Sequence, residues 1–381
     1  MNNPGINMDT QLKLPFFAKA SLLLIGSYAL ISMLYIGKGI IVPLIFAVII
    51  SIVLHPVVSF LVSKKVNRVL AIFITLILAF LFLATFGVFI FSQAMGFSES
   101  WPKIVEKFTD IFNQTINLAS GYFDISPEKI NAWITKSEGD FINTSGSTIG
   151  QTLANVGSGL VILFIIPVYI FMLMFYSPLL LEFIRRVFGA TNRSEVSQII
   201  SQIKTVIQRY LTGLAIEAVL VATLNSVGLL ILGIQYAILI GIIGAIVNVI
   251  PYIGGIVAVA LPMMIALATK SSPWFALYVL GIYYLIQLID NHYIIPFIVA
   301  SKVKINALVS IIVVLAFGAL WGLPGMFLSI PLTAIIKVVF DHIDPLKPWG
   351  FLLGDTMPVI ELFKLKLGKN ERKNKEVEPA T

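Results

Sequence analysis

Six stretches of this chain, 16–36, 40–62, 69–94, 149–181, 209–232 and 273–295, run for twenty residues or more with hardly a charge. About 20 apolar residues of helix cross the hydrocarbon core of a bilayer. Lipid offers no partner to an open backbone, so such runs become helices. With 58% hydrophobic and only 12% charged residues, against roughly 25% charged in soluble domains, the chain reads as an all-α integral membrane protein. The net charge of +7 does not indicate nucleic acid. The lysines and arginines stand in short clusters between the apolar runs, as loops on the cytoplasmic side do. The bilayer is the partner this pattern implies.

The clusters set a topology. The turn Gly37-Lys38-Gly39 makes the first two runs an antiparallel pair, and Lys64, Lys65 and Arg68 place the next loop inside, with the N-terminus. The third run then emerges outside. There 97–148 forms a small extramembrane helical segment: Trp101, Ile104, Val105, Phe108, Ile111 and Phe112 recur at helical spacing. A second short helix is expected from Ser126-Pro127. The fourth run returns inside, where Arg185, Arg186, Arg193, Lys204 and Arg209 lie. A cytoplasmic amphipathic helix is expected from Asn192, with Val196, Ile199, Ile200, Ile203, Val206 and Ile207 on one face. Both termini fall inside.

Two further apolar segments are broken. Between 235 and 269 two arms of about 15 residues flank PYIGG, and 306–321 and 326–340 flank WGLPGM. An arm of that length gives ~23 Å of helix, short of the ~30 Å core. Paired Gly/Pro interruptions in two halves of a chain point to a transporter binding site. With the topology above, the first hairpin dips from outside and the second from inside. A span plus hairpin at 209–269 is then answered by an inverted copy at 273–340. The alternative is a tight turn between two tilted helices that both span. The expected fold has about eight membrane segments, two of them re-entrant or broken hairpins. The expected units are 1–96 (scaffold spans), 97–148 (outer segment), 149–208 (fourth span and cytoplasmic helix), 209–340 (transport unit) and 341–381 (cytoplasmic tail).

Polar residues within these segments are the candidate site. The first tip offers Asn248, Pro251, Tyr252, Gly254 and Gly255, and the second Gly322, Pro324 and Gly325. Glu217 lies eight residues into its span. It is a proton or cation carrier, or a partner in an interhelical or subunit contact. Asp290 and Asn291 sit near the inner end of theirs, with Gln287 one turn earlier. Asn225 reads equally as glue between helices. Catalytic readings find no support: His55, His292 and His342 lack metal-ligand spacing, and no HExxH or phosphate-binding loop occurs. The absence of cysteine excludes disulfides and thiolate metal sites. No cofactor and no enzyme activity are expected.

The stretches IPYIGGIVAVALP (250–262), DNHYIIPFIVASKVKINALVSIIVV (290–314) and WGLPGMFLSIPLTAIIKVV (321–339), with RYLTG (209–213), resemble the autoinducer-2 exporter family of membrane transporters over roughly 16–340. The resemblance implies a bacterial inner-membrane protein assembled as a homo-oligomer, a pentamer being one candidate count. It implies secondary transport of a small polar solute or signalling molecule, possible as an export step coupled to an ion gradient. Sodium or lithium exchange for protons is the family's other attributed activity. An oligomeric channel or scaffold without coupling is the rival class. The chain departs from the family's pattern with Asn306-Ala307, where many relatives carry His-Pro, and with Leu214, where many carry Gln. In this cysteine-free chain, Lys65→Cys, Arg193→Cys and Val303→Cys should react with an impermeant thiol reagent only from the cytoplasm. Ser120→Cys and Asp140→Cys should react only from outside, and labelling of position 193 from outside overturns the topology.

Overall fold

A computed structural model describes residues 15–123, 156–187, 193–250, 254–299 and 304–356. Among them the chain is helical apart from turns and one isolated bridge between Ile305 and Gly354. The first two expected spans are α1 (Phe16–Ile36) and α2 (Lys38–Ser63), with Gly37 alone between them. The third is the start of α3 (Arg68–Phe123), a single helix of 56 residues. The outer segment is therefore not a separate unit at its beginning: α3 carries straight on past Pro102. The helix expected at 126–127 lies outside the described residues.

The fourth span is α4 (Val156–Phe175). At Tyr176 the chain turns by 63° into a short helix, α5 (Ser177–Val187). The amphipathic helix and the fifth span, expected as neighbours, form one uninterrupted α6 (Arg193–Ile231). The first hairpin is α7 (Ala237–Asn248) and α8 (Gly254–Thr269). Their 12 and 16 residues give arms of ~18 and ~24 Å. Next, α9 (Trp274–Ile289) continues as ten residues of wider π-helix, Asp290–Val299. The second hairpin is α10 (Ala307–Trp321) and α11 (Leu323–His342), followed by α12 (Lys347–Leu353). Among the described residues six helices, or seven counting the bent α4–α5 pair, are long and apolar enough to cross a membrane.

The second break is narrower than the sequence suggests. Gly322 alone makes the turn, with φ 68°, a conformation open to glycine. Pro324 and Gly325 already belong to the first turn of α11, where proline's missing N–H leaves nothing unpaired. Proline and glycine mark the neighbourhood of a break without fixing its width. As a result α11 has 20 residues, ~30 Å, and its length suits a full crossing.

The core is a set of apolar clusters strung along α6. Leu229 packs with Ile240, Ile265 and Val279 of the first hairpin and α9, and with Ile104 of α3. Farther along, Ile207 packs with Ile49, Trp321 and Leu328. A separate cluster ties α2, α3 and α4 through Ala47, Ala71, Ile72 and Ile170. α1 buries no residue. Re-entrance has a direct test: Gln235→Cys and Ser271→Cys, both exposed, should react from one face of the membrane. Lys304→Cys and Asp344→Cys should both react from the other. A pair split across the membrane makes its hairpin two full spans.

Candidate functional site

A cavity of about 890 Å³ opens beside α6. One stripe of α6 faces it, Tyr210, Leu214 and Glu217, at the three- and four-residue spacing that aligns side chains on a helix. The end of α7 supplies Asn248, and the start of α8 supplies Gly255 and Val259. From α9 come Tyr283, Tyr284 and Gln287, again on one face, and Asp290 and Asn291 follow where the helix widens. Lys304 and Asp355, both exposed, also line it.

The lining carries three carboxylates, Glu217, Asp290 and Asp355, against one cation, Lys304, among the described residues. Asp290 is wholly removed from solvent and Glu217 nearly so. These two carboxyl groups line the same cavity. Asn248 Nδ2 donates to Asp290 Oδ2 at 2.9 Å, while Asp290 Oδ1 has no partner. The Tyr283 hydroxyl and Asn225 Oδ1 are also buried without partners. They flank Gly244, where an added Cβ would lie 3.2 Å from Asn225 Nδ2 and 3.4 Å from Tyr283 OH. Buried polar atoms are nearly always paired, and these three are not.

The first tip is built for closeness. A side chain at Gly254 would strike the carbonyl of Val247, so α8 can start against the end of α7 only with glycine there. A Cβ at Gly255 would fall 2.7 Å from Gln287 Oε1. Gly255 thus lets α9's amide reach the tip, and Gln287 Nε2 extends toward Asn291 Oδ1 at 3.4 Å.

Seven of the sequence candidates meet here or abut the cavity: Glu217, Asn248, Gly254, Gly255, Gln287, Asp290 and Asn291. Pro251 and Tyr252 lie outside the described residues. Gly322, Pro324 and Gly325 are not in the cavity wall. Their tip packs toward α1 and α2, with Trp321 Nε1 donating to the Leu34 carbonyl at 3.1 Å and Phe46 stacked on Phe327. Sequence reasoning missed Tyr210, Tyr283, Lys304 and Asp355. Tyr283 was findable, since it precedes Gln287 by four and Asp290 by seven residues. Asp355 had no local signal, because only the fold returns α12 to the cavity. That return rests on Asn306, whose Nδ2 donates to the carbonyls of Leu352 (2.7 Å) and Gly354 (3.1 Å), while its Oδ1 caps α10 at Val309 N. At one of its two departures from the family's pattern, the chain has placed a clamp.

Comparison with known proteins gives a consistent result. "Putative transport protein YrrI" of Bacillus subtilis is 25% identical over 312 residues, covering 80% of this chain and 87% of its own. "Putative permease PerM" of Escherichia coli K12 is 24% identical, covering 84% and 92%. "AI-2 transport protein TqsA" of the same strain is 26% identical, covering 83% and 90%. The family model described as AI-2E family transporter matches residues 22–344, the stretch that holds every helix lining the cavity. This multi-pass membrane protein belongs to the AI-2E transporter family, a family of membrane transport proteins.

Proposed function

We propose that the chain is a secondary transporter that carries a small polar solute through the cavity beside α6, driven by an ion gradient. The observation that carries this reading is the pair Asp290 and Glu217, buried in the wall of one cavity and in no ion pair among the described residues. A charged side chain in a membrane helix costs about 2.5–3.5 kcal/mol on insertion scales and is a functional candidate by default. Here two of them face the same open space. The amides of Asn248, Gln287 and Asn291 and the hydroxyl of Tyr283 offer both donors and acceptors to a polar solute. The carboxyl pair suits a proton or a monovalent cation.

In this reading α6–α11 move against α1–α3, as one repeat rocks against another in transporters with inverted repeats. The cavity then opens to the cytoplasm, the side that the basic clusters favour, with the exposed Lys304 and Asp355 in its wall. The protein sits in the bacterial inner membrane with both termini cytoplasmic and assembles as a homo-oligomer, its unburied α1 being available for subunit contacts. The name of TqsA gives that relative AI-2 as its solute; a small polar signalling molecule is the corresponding class here, and export the corresponding direction. A second reading, sodium or lithium exchange for protons, is favoured by the same uncompensated carboxyl pair.

Two measurements in reconstituted vesicles test the site. Asp290→Asn and Glu217→Gln should each lower flux per inserted protein by at least about tenfold, ~1.4 kcal/mol in the barrier. They should also abolish its dependence on the driving ion. Saturable, ion-dependent flux that survives in the double variant removes the carboxyl pair from the mechanism, and current without any driving ion makes the protein a passive pore. Gly255→Val should push Gln287 from the tip and lower flux by at least about tenfold, with insertion unchanged. Gly281→Val, where an added Cβ meets nothing within 4 Å, should transport normally. Normal flux for Gly255→Val makes the tip a structural turn.

A further inference from the structure

At the end of the bundle where α2 closes and α3 begins, basic groups from α2, α3 and α6 come together, with no acidic partner among the described residues. Lys204 Nζ of α6 lies 3.1 Å from His55 Nδ1 of α2, which Ser59 Oγ also approaches at 3.0 Å. Arg68, at the start of α3, stands near enough for its charge to reach the His55 ring. Its guanidinium donates to the Met174 carbonyl and to Ser177 Oγ, both at 2.7 Å, and so holds the joint between α4 and α5. Lys64 and Lys65 stand exposed in the adjoining turn. On α5, Arg185 Nε is buried without a hydrogen-bond partner. The nearest acid on that helix, Glu182, is already bonded to Arg186 at 3.1 Å. Among the described residues no carboxylate pairs with Lys204, Arg68 or Arg185. Like charges gathered this way repel, and an anion relieves the repulsion.

The form of α5 says what brings the anion. It leaves α4 at 63°, so with α4 crossing the bilayer it lies toward the plane of the headgroups. Leu179, Phe183 and Val187 are more than 60% exposed along it, and Arg185 and Arg186 stand in its last turn. A short helix with an apolar face and arginines, set nearly flat at the membrane surface, is the form of an interfacial helix.

We propose that an anionic phospholipid binds along α5, with Lys204 at the junction and Arg185 in the helix's last turn as the basic groups that attract its headgroup, and the acyl chains along the apolar face of α5. Arg68 positions the α4–α5 joint. The assignment does not depend on the transport reading. It bears on it, because α6 carries both Lys204 and, thirteen residues later, Glu217, ~20 Å along one continuous helix.

The test uses the full-length protein, purified and presented with phosphatidylglycerol, phosphatidylcholine or inorganic phosphate. Retained lipid is read by native mass spectrometry and stability by thermal unfolding. Phosphatidylglycerol should be retained over phosphatidylcholine and should raise the unfolding temperature. Lys204→Gln and Arg185→Gln should each weaken that preference by about fivefold, the worth of one basic group at an anionic surface. Lys204→Arg should restore it, and Lys103→Gln with Lys107→Gln, on the far extension of α3, should leave it unchanged. An undiminished preference in the Lys204→Gln/Arg185→Gln double variant overturns the proposal. So does equal stabilisation by inorganic phosphate alone, which would make the occupant a free oxyanion.

Discussion

The close approach of α6 to its neighbours is the contact on which the rest of the architecture depends. A Cβ on Gly213 would collide with the carbonyl of Ile298 in the π-helical stretch, and one on Gly228 with Ile282 of α9. Across the interface, Gly241 of α7 lies against Ser226 with no room for a side chain. In lipid the hydrophobic effect does not press helices together, and small residues that let backbones touch do so instead. Because the second half of α6 is gripped at Gly213 and Gly228 by α9 with its wide extension, and at Ser226 by α7, it can cover a helix break at membrane depth. Broken backbone is tolerated there only where protein or a water-filled cavity receives it. The short arms of the first hairpin and the cavity are two results of one packing solution.

Magnitudes separate the structural and functional accounts of the acidic pair. An interhelical hydrogen bond in a membrane averages about 0.6 kcal/mol and reaches about 1.7. The bond from Asn248 to Asp290 is a single one of this kind, and its value falls below the ~2.5–3.5 kcal/mol of placing a carboxylate in a span. An apolar residue would serve packing better at both Asp290 and Glu217. The second oxygen of Asp290 gains nothing from the protein at all. A purely structural role therefore leaves a deficit that binding of a proton, cation or solute would offset, and this is why flux in the amide variants is the informative measurement.

Much of this was legible in the sequence. Apolar runs located α1, α2 and the start of α3 to within a few residues, since length and hydropathy are what lipid selects. Glu217, Asp290, Asn248 and Gln287 stood out because polar groups are rare in such runs. What stayed hidden depends on the third dimension. The continuity of α3 and α6 was missed because a polar stretch in a helix and a polar loop look alike when hydropathy is the guide. The π-helical widening after Ile289 has no compositional mark beyond Pro296. Asp355 joins the cavity only through the clamp at Asn306, across a sequence separation that no periodicity records.

The two tips, equivalent by sequence symmetry, have divided their roles. The first presents Asn248 and Gly255 to the cavity, where backbone and amides meet the acidic pair. The second turns on Gly322 alone and packs away from the cavity, with Trp321 bonded to α1 and buried among Val42, Ile49, Ile207 and Leu328. Trp321 is thus held jointly by the helices assigned to the scaffold and by α6. For α6–α11 to move against α1–α3, this contact must either slide or serve as the pivot. A tryptophan fixed by a hydrogen bond and packed on several sides resists sliding, whereas rotation about it preserves most of its contacts. In the proposed motion the pivot therefore belongs at the second tip and the excursion at the first, beside the residues proposed to carry solute and ion.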